Sequence, residues 1–200
     1  MRFLTPDDLA AIYGTPGPTA LRNVARRLTP EYRAMLEASR FCVLATVGPE
    51  GCDASPRGDD GPVVTVLDAL HLALPDRRGN DRIDSLLNIA RDPRTSLMFL
   101  IRGSANVLRI NGQARITDDA ALCARLATHG QAPRSVIVLR VDEVYFQCAR
   151  AVMRAGLWAG EDDSAGLPTP GAILAAMTDG EVGGAAYDAA WPARAAASMW

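Results

Sequence analysis

The chain contains no lysine: all 21 of its basic residues are arginine. A guanidinium does not shed its proton in a protein, so no side chain here can form a Schiff base with an aldehyde cofactor. The same absence removes the GKS or GKT lysine of a Walker phosphate loop. Histidine is scarce, with only His71 and His129, which leaves little to hold a haem iron. The four cysteines, Cys42, Cys52, Cys123 and Cys148, form no CxxC pair and no zinc-like spacing with the histidines, so a metal site is not expected. They read as reduced thiols, mostly packed as small apolar groups. No apolar run is long enough to span a bilayer. The opening MRFLTPDDLAAIYG places acids where a secretory leader needs its apolar stretch, so the reading is cytoplasmic. A net charge of −2 provides no positive field to recruit nucleic acid or anionic lipid.

What is present is ordinary globular composition, 48% hydrophobic and 22% charged over 200 residues. That length suits one domain with a small appendage. Residues 1–40 read as a helical extension, 41–160 as a strand-rich domain and 161–200 as an alanine-rich helical extension. Thr5-Pro6-Asp7-Asp8 and Thr29-Pro30-Glu31 each offer a cap, a proline in the first turn and an acid near the helix start. Between them, Pro16 and Pro18 break the chain before the basic segment LRNVARRL.

At Phe41 the texture changes. FCVLATV, the turn Gly48-Pro49-Glu50-Gly51 and CDASPRG read as a hairpin. VVTVLD and HLALP read as two strands, and Arg82 to Arg91 as a helix stopped by Asp92-Pro93. TSLMFLI and NVLRINGQARI are the next strands. A helix over Asp118 to Thr128, capped by Thr117, precedes the strand segments SVIVLRV and EVYFQC. CARAVMRAGLW reads as a short helix or turn. PGAILAAMT and AAYDAAWPARAAASMW read as tail helices. Short strands interrupted by one internal helix fit a small barrel rather than a doubly wound sheet, which would need a helix after each strand.

The most informative segment is LPDRRGNDR, Leu74 to Arg82. It follows a strand and opens a helix, and it crowds three arginines, a glycine and an asparagine into one loop. A helix start presents unpaired N–H groups and positive dipole. Guanidinium forks added to it make a phosphate site, each charge-assisted hydrogen bond contributing about 1.5–3 kcal/mol. Gly79 would let the backbone approach a ligand closely. The alternative is that these arginines are solvated or paired with Asp76, Asp81 and Asp84.

The order of FCVLATVGPEGCDASPRG, LALPDRRGNDRIDSLLNIARDPRTSLMFLI and LRINGQARIT resembles the FMN-binding split barrels of the pyridoxamine 5′-phosphate oxidase-like superfamily. The likeness covers Phe41 to about Trp158. It rests on the LATV hairpin, the arginine-bearing helix start and the strand ending N-G-x-A-R. It is strongest to a bacterial subgroup of FMN-dependent proteins with PDRxGNxRxDSL and a late C-A-x-A segment. The resemblance implies an α+β, mainly β fold: an FMN-binding split β-barrel with peripheral helices, forming a homodimer with FMN in clefts between subunits. It implies a phosphate held near Arg77, Gly79, Asn80, Arg82 and Ser85, and a ring against Ser55, Pro56 and Arg57. It draws Arg109, Asn111, Arg134, Arg150 and Trp158 from the partner subunit. Two departures matter. The family's phosphate-cluster lysine is absent, and CARAVMRAGLW does not reproduce the late tryptophan-arginine pair that holds pyridoxamine. FMN binding is expected to survive, because arginine can replace the anchoring charge. Oxidation of pyridoxamine phosphate is left unsupported.

The implied function is an FMN-dependent oxidoreductase acting on an unidentified small molecule; the alternative is a flavin carrier or redox sensor. Redox chemistry would belong to the cofactor, and the protein would supply position and electrostatics. Arg57 would stabilise negative charge on a reduced ring, or pair with Asp59 or Asp60. Cys148, ahead of Arg150, is either a low-pKa thiol or a packed one. Trp158 would cover the ring or cap the core. No catalytic residue can be named.

Overall fold

The computed structural model describes residues 1–199. A helical leader contains α1 (Pro6–Tyr13), α2 (Pro18–Arg22) and α3 (Pro30–Ala38). A hairpin follows, β1 (Phe41–Gly48) and β2 (Gly51–Gly58), then β3 (Thr65–Val66), β4 (His71–Pro75), α4 (Asp84–Arg91), β5 (Arg94–Leu100) and β6 (Val107–Thr117). The rest comprises α5 (Ala120–Arg125), β7 (Val136–Gln147), α6 (Arg150–Arg154), α7 (Pro170–Met177), α8 (Gly184–Ala189) and α9 (Trp191–Ser198). The seven strands form one antiparallel sheet in the order β2-β1-β5-β6-β7-β4-β3. The fold is therefore α+β, mainly β: the expected split barrel with helices outside it. Among the described residues no helix is long and apolar enough to cross a membrane.

Strand alternation builds the core. Cys42 and Leu44 of β1, Leu97 and Phe99 of β5, Leu108 and Ile110 of β6 and Leu139 and Val141 of β7 all turn inward. Leu36 of α3 and Ile89 of α4 plug the two sides. The Thr5 and Thr29 hydroxyls accept from the backbone N–H groups of Asp8 and Tyr32, so both expected caps are present.

Several local expectations change. VVTVLD pairs only at Thr65–Val66; Val63 and Val64 are buried without joining the ladder. The internal helix begins at Asp84 rather than Arg82. The helix expected over Asp118 to Thr128 contracts to α5, because the Asp119 carboxylate caps it, accepting from Leu122 N–H at 2.8 Å. The two late strand segments are one strand, β7, with a bulge at Asp142 opposite Asn111 and Gly112 of its neighbour. LRNVARRL leaves α2 at Arg22, and Ala25 then bridges Val144 of β7. The single tail helix expected from AAYDAAWPARAAASMW is split into α8 and α9; its last residue, Trp200, lies outside the described residues.

Candidate functional site

The barrel has a seam. β2 stands at one edge of the sheet and β4 near the other, and their C-terminal ends face each other across it. Two reciprocal ion pairs join them: Arg57 of β2 donates to Asp76 just past β4 at 2.6 Å, and Arg77 donates to Asp59 just past β2 at 2.8 Å. Both pairs are largely buried, with side-chain exposures of 17% and 14% for the first and 18% and 6% for the second. Arg77 also donates to the Leu126 carbonyl. The partner of Arg57 is thus Asp76 and not the sequence-near Asp59 or Asp60 expected for it; Asp59 pairs with Arg77 instead.

Above these pairs lies a cleft of about 730 Å³, a size typical of cofactor and small-ligand sites. It gathers Ser55, Pro56 and Arg57 from β2 and Arg77, Gly79, Asn80 and Arg82 from the loop between β4 and α4, with Arg134 opposite. The sequence also placed Ser85 here. In the structure Ser85 is buried and does not line the cleft; its hydroxyl donates to Asp53 at 2.5 Å, tying the first turn of α4 to β2. Among the other lining residues are Asp59, Asp60, Asp76, Arg78 and Asp81, which the sequence offered only as ion-pair partners or part of the loop, and Met199, just past α9, which it did not single out. Asp76 and Asp81 carried a signal, since DRRGND places an acid at each end of the arginine loop. Met199 carried none.

The loop has local reasons for its shape. Asp81 adopts a left-handed conformation, φ 58°, and the Asn80 side chain accepts from Arg82 N–H at 3.1 Å, an Asx-type turn. Ile83 at the helix start gives α4 no side-chain cap, so the N–H groups of its first turn have no capping side chain.

The arginines of the cleft fall into three kinds. Arg57 and Arg77 are committed to buried carboxylates. Arg82 and Arg134 make exposed pairs, Arg82 with Asp84 at 2.8 Å and Arg134 with Asp81. Such solvent-exposed pairs contribute little to stability. Arg78 makes no ion pair among the described residues; its charge is felt at Asp81. The hydrogen bond from Arg134, then its charge, then that of Arg78 hold the Asp81 carboxyl below its ordinary value.

Two observations test whether these residues suit a flavin phosphate ester. Arg57 Nε is buried with no acceptor in the protein, and a buried donor left unmade costs about 1–3 kcal/mol. It therefore calls for an acceptor at the end of β2, which a ring carbonyl or ring nitrogen supplies. A Cβ on Gly79 would meet nothing within 4 Å, so the loop backbone is open to the cleft. The residues present fit such a group. For proton transfer the described lining residues include no histidine or cysteine, Ser55 is the only hydroxyl, and of the four aspartates Asp59, Asp76 and Asp81 are paired with arginines. His129 stands just outside, its Nε2 at 2.7 Å from Asp60. No group of three or more His, Cys, Asp or Glu side chains among the described residues could hold a metal ion.

The other sequence candidates lie elsewhere on the chain. Pro56, Val43, Met98, Arg109 and Tyr145 form one row across the outer face of the sheet, and Arg109 lies over the Tyr145 ring at 5.5 Å. Three strand steps separate Arg109 from Pro56, about 14 Å at the usual spacing. In the next row Asn111 accepts from Ser96 at 2.8 Å and donates to Glu143 at 3.4 Å. Arg150 lines an apolar groove with Asn23, Phe146 and the exposed Cys148. Trp158 donates from its indole to the Ser104 carbonyl.

The family described as pyridoxamine 5′-phosphate oxidase matches residues 28–148. Among solved structures, HupZ of Group A Streptococcus superposes with a TM-score of 0.50 at 16% identity, over 60% of this chain and 93% of that one. An FAD-binding protein from Mesorhizobium loti gives 0.43 at 17%, over 62% and 94%. General Stress Protein 26 from Bacillus anthracis gives 0.42 at 15%, over 57% and 88%. At such identities the likeness is one of fold alone, and the first superposition carries it. No curated protein matches the chain.

Proposed function

Because the chain belongs to the pyridoxamine 5′-phosphate oxidase family, we propose that it is an FMN-dependent oxidoreductase acting on a small molecule, with its cofactor in the seam cleft. The observation that carries this reading is the division of labour among the cleft's arginines. The buried pairs hold the barrel edges together, while Arg82 and Arg134 carry only exposed carboxylates that a phosphate displaces at little cost. Gly79 and Asn80 bring the backbone to the same place, and Arg57 Nε offers its unmade hydrogen bond at the ring end. Arg77 and Ser85 act one step back, by fixing the loop to Asp59 and α4 to Asp53.

When bound, FMN supplies the hydride or electron transfer. The protein's own part is to bind and orient. The Arg57 guanidinium stabilises negative charge at the ring end of the cleft, and Ser55 and Pro56 form the wall beside it. A second copy of the chain completes the enclosure. Its support is the outer sheet face, where Met98, in register with Arg109, remains 36% exposed and Phe41, two strands from Arg109, 37%. At about 14 Å from Pro56, Arg109 reaches a ring lying on β2 only from a partner. Asn111, Arg150 and Trp158 belong to the same shared surface. Four free cysteines suit a reducing compartment, and we place the protein in the cytoplasm.

The test is the visible spectrum of the purified protein before and after addition of FMN. Flavin absorbance that stays with the protein through desalting and is released by denaturation supports the reading. A colourless protein that retains no added FMN overturns it. A non-catalytic flavin carrier is the second reading, favoured by the lack of histidine and cysteine among the described lining residues and by the pairing of three of the four aspartates with arginines. Turnover of reduced nicotinamide with an electron acceptor separates the two.

A further inference from the structure

Past the loop lies a second cleft, of about 320 Å³. Asp76, Arg77, Arg78, Asp81 and Arg134 line both clefts, so the two share a wall and form one bent groove. The far side is built from the turn after α5, with Thr128, Gln131, Ala132 and Pro133. That turn is closed by its own backbone, Thr128 N–H to the Gln131 carbonyl at 3.0 Å and Gln131 N–H to the Thr128 carbonyl at 2.8 Å. Neither the Thr128 hydroxyl nor the Gln131 amide makes a hydrogen bond among the described residues, so both remain available as donors.

The charges on the shared wall are uneven. Asp76 is tied to Arg57, Asp81 to Arg134 and Arg77 to Asp59. Arg78 is exposed and makes no ion pair among the described residues, though its charge reaches Asp81. A guanidinium whose hydrogen-bond donors are uncommitted, facing a cleft with a hydroxyl and an amide on its other side, is suited to an oxyanion.

We infer that the second cleft is an anion subsite, taking a phosphate or carboxylate one step beyond the phosphate held by Arg82 and Arg134. It rests on the flavin reading for its neighbour. The oxyanion has two possible sources. It is either the adenylate half of a dinucleotide flavin, continuous with the first phosphate, or part of a separate acidic substrate bound beside the cofactor. Arg78 is its anchor, and Thr128 and Gln131 orient it.

The experiment compares FMN and FAD by equilibrium titration, and titrates inorganic pyrophosphate calorimetrically into the protein with and without FMN. Wild type is set against Arg78→Gln and Ala132→Phe. Ala132 is exposed, so a phenyl ring there fills the second cleft without crowding the core. FAD binding at least tenfold tighter than FMN, about 1.4 kcal/mol, with that advantage lost in both variants, supports the subsite and identifies a dinucleotide. Equal flavin affinities with saturable pyrophosphate binding, lost in both variants, support it and identify a separate anion. FMN binding with neither effect, or effects that survive both substitutions, overturns the inference and leaves the flavin reading standing. If no flavin binds, the flavin reading falls, and pyrophosphate binding to the ligand-free protein, present or absent, decides the subsite.

Discussion

Arg57 and Asp76 meet at 2.6 Å across the seam of the barrel, from strands at opposite parts of the sheet order. With the Arg77–Asp59 pair beside them, they close the floor of the cleft where the backbone ladder does not. Removing one member strands the other in a low-dielectric place, which costs about 3–5 kcal/mol. Asp76→Ala is therefore expected to lower unfolding stability by that amount in a urea titration. The double variant Arg57→Met/Asp76→Leu should recover most of it, since the desolvation burden leaves with both charges.

Two glycines separate packing from binding. A Cβ on Gly112, opposite the β7 bulge, would lie 2.0 Å from the Arg140 carbonyl oxygen, and backbone cannot rotate away. Gly112→Ala should lose about 1–3 kcal/mol or more of stability. Gly79→Ala should leave the urea midpoint unchanged, because the added methyl meets nothing in the protein. On the flavin reading it should weaken FMN binding several-fold, measured by quenching of flavin fluorescence.

These positions also show what the sequence could and could not tell. The hairpin, the caps at Thr5 and Thr29 and the arginine loop were legible because each is written within a few consecutive residues. So was the glycine of N-G-x-A-R, though its reason, a backbone pressed against Arg140 opposite the β7 bulge, was not. The carboxylates that hold Arg57 and Arg77 were misjudged because partner choice follows from closure of the sheet. That closure brings residues 19 and 18 positions apart together. Val63 and Val64 looked like strand because buried apolar residues look alike whether or not their backbones pair. Ser85 became a phosphate candidate through the family resemblance; only packing shows that Asp53 claims it. Met199 reaches the cleft from the far end of the chain, beyond any local pattern.

Cys42 provides a pH test. Burial pushes its thiol up to about 12, with the Arg57 charge opposing in part. The folded state thus prefers the neutral thiol. The resulting stability is complete below the thiol's ordinary value of 9.0 and is lost as pH rises from there toward about 12. The full swing amounts to about 4 kcal/mol at 1.36 kcal/mol per unit. Urea midpoints followed from pH 8 to 11, as a chosen range, should fall more steeply for wild type than for Cys42→Ala.

Asp81 provides another at the opposite end. Its carboxyl is held low by Arg134 and then Arg78. The pairing is therefore present above the ordinary carboxylate value of 3.8 and fades as pH falls through the depressed one. An NMR titration of the Asp81 carboxyl should show its midpoint move up in Arg134→Ala and, by less, in Arg78→Gln.

The measurement closest to the central claim is the affinity of the purified protein for FMN against riboflavin, which differ only in the phosphate. Tight FMN binding with riboflavin at least a hundredfold weaker, and a gap that shrinks in Arg82→Ala and Arg134→Ala, is what a phosphate-holding cleft predicts; about 2.7 kcal/mol is the corresponding difference. Equal affinity for the two, or a preference for FMN untouched by either substitution, would place the phosphate elsewhere and contradict the account.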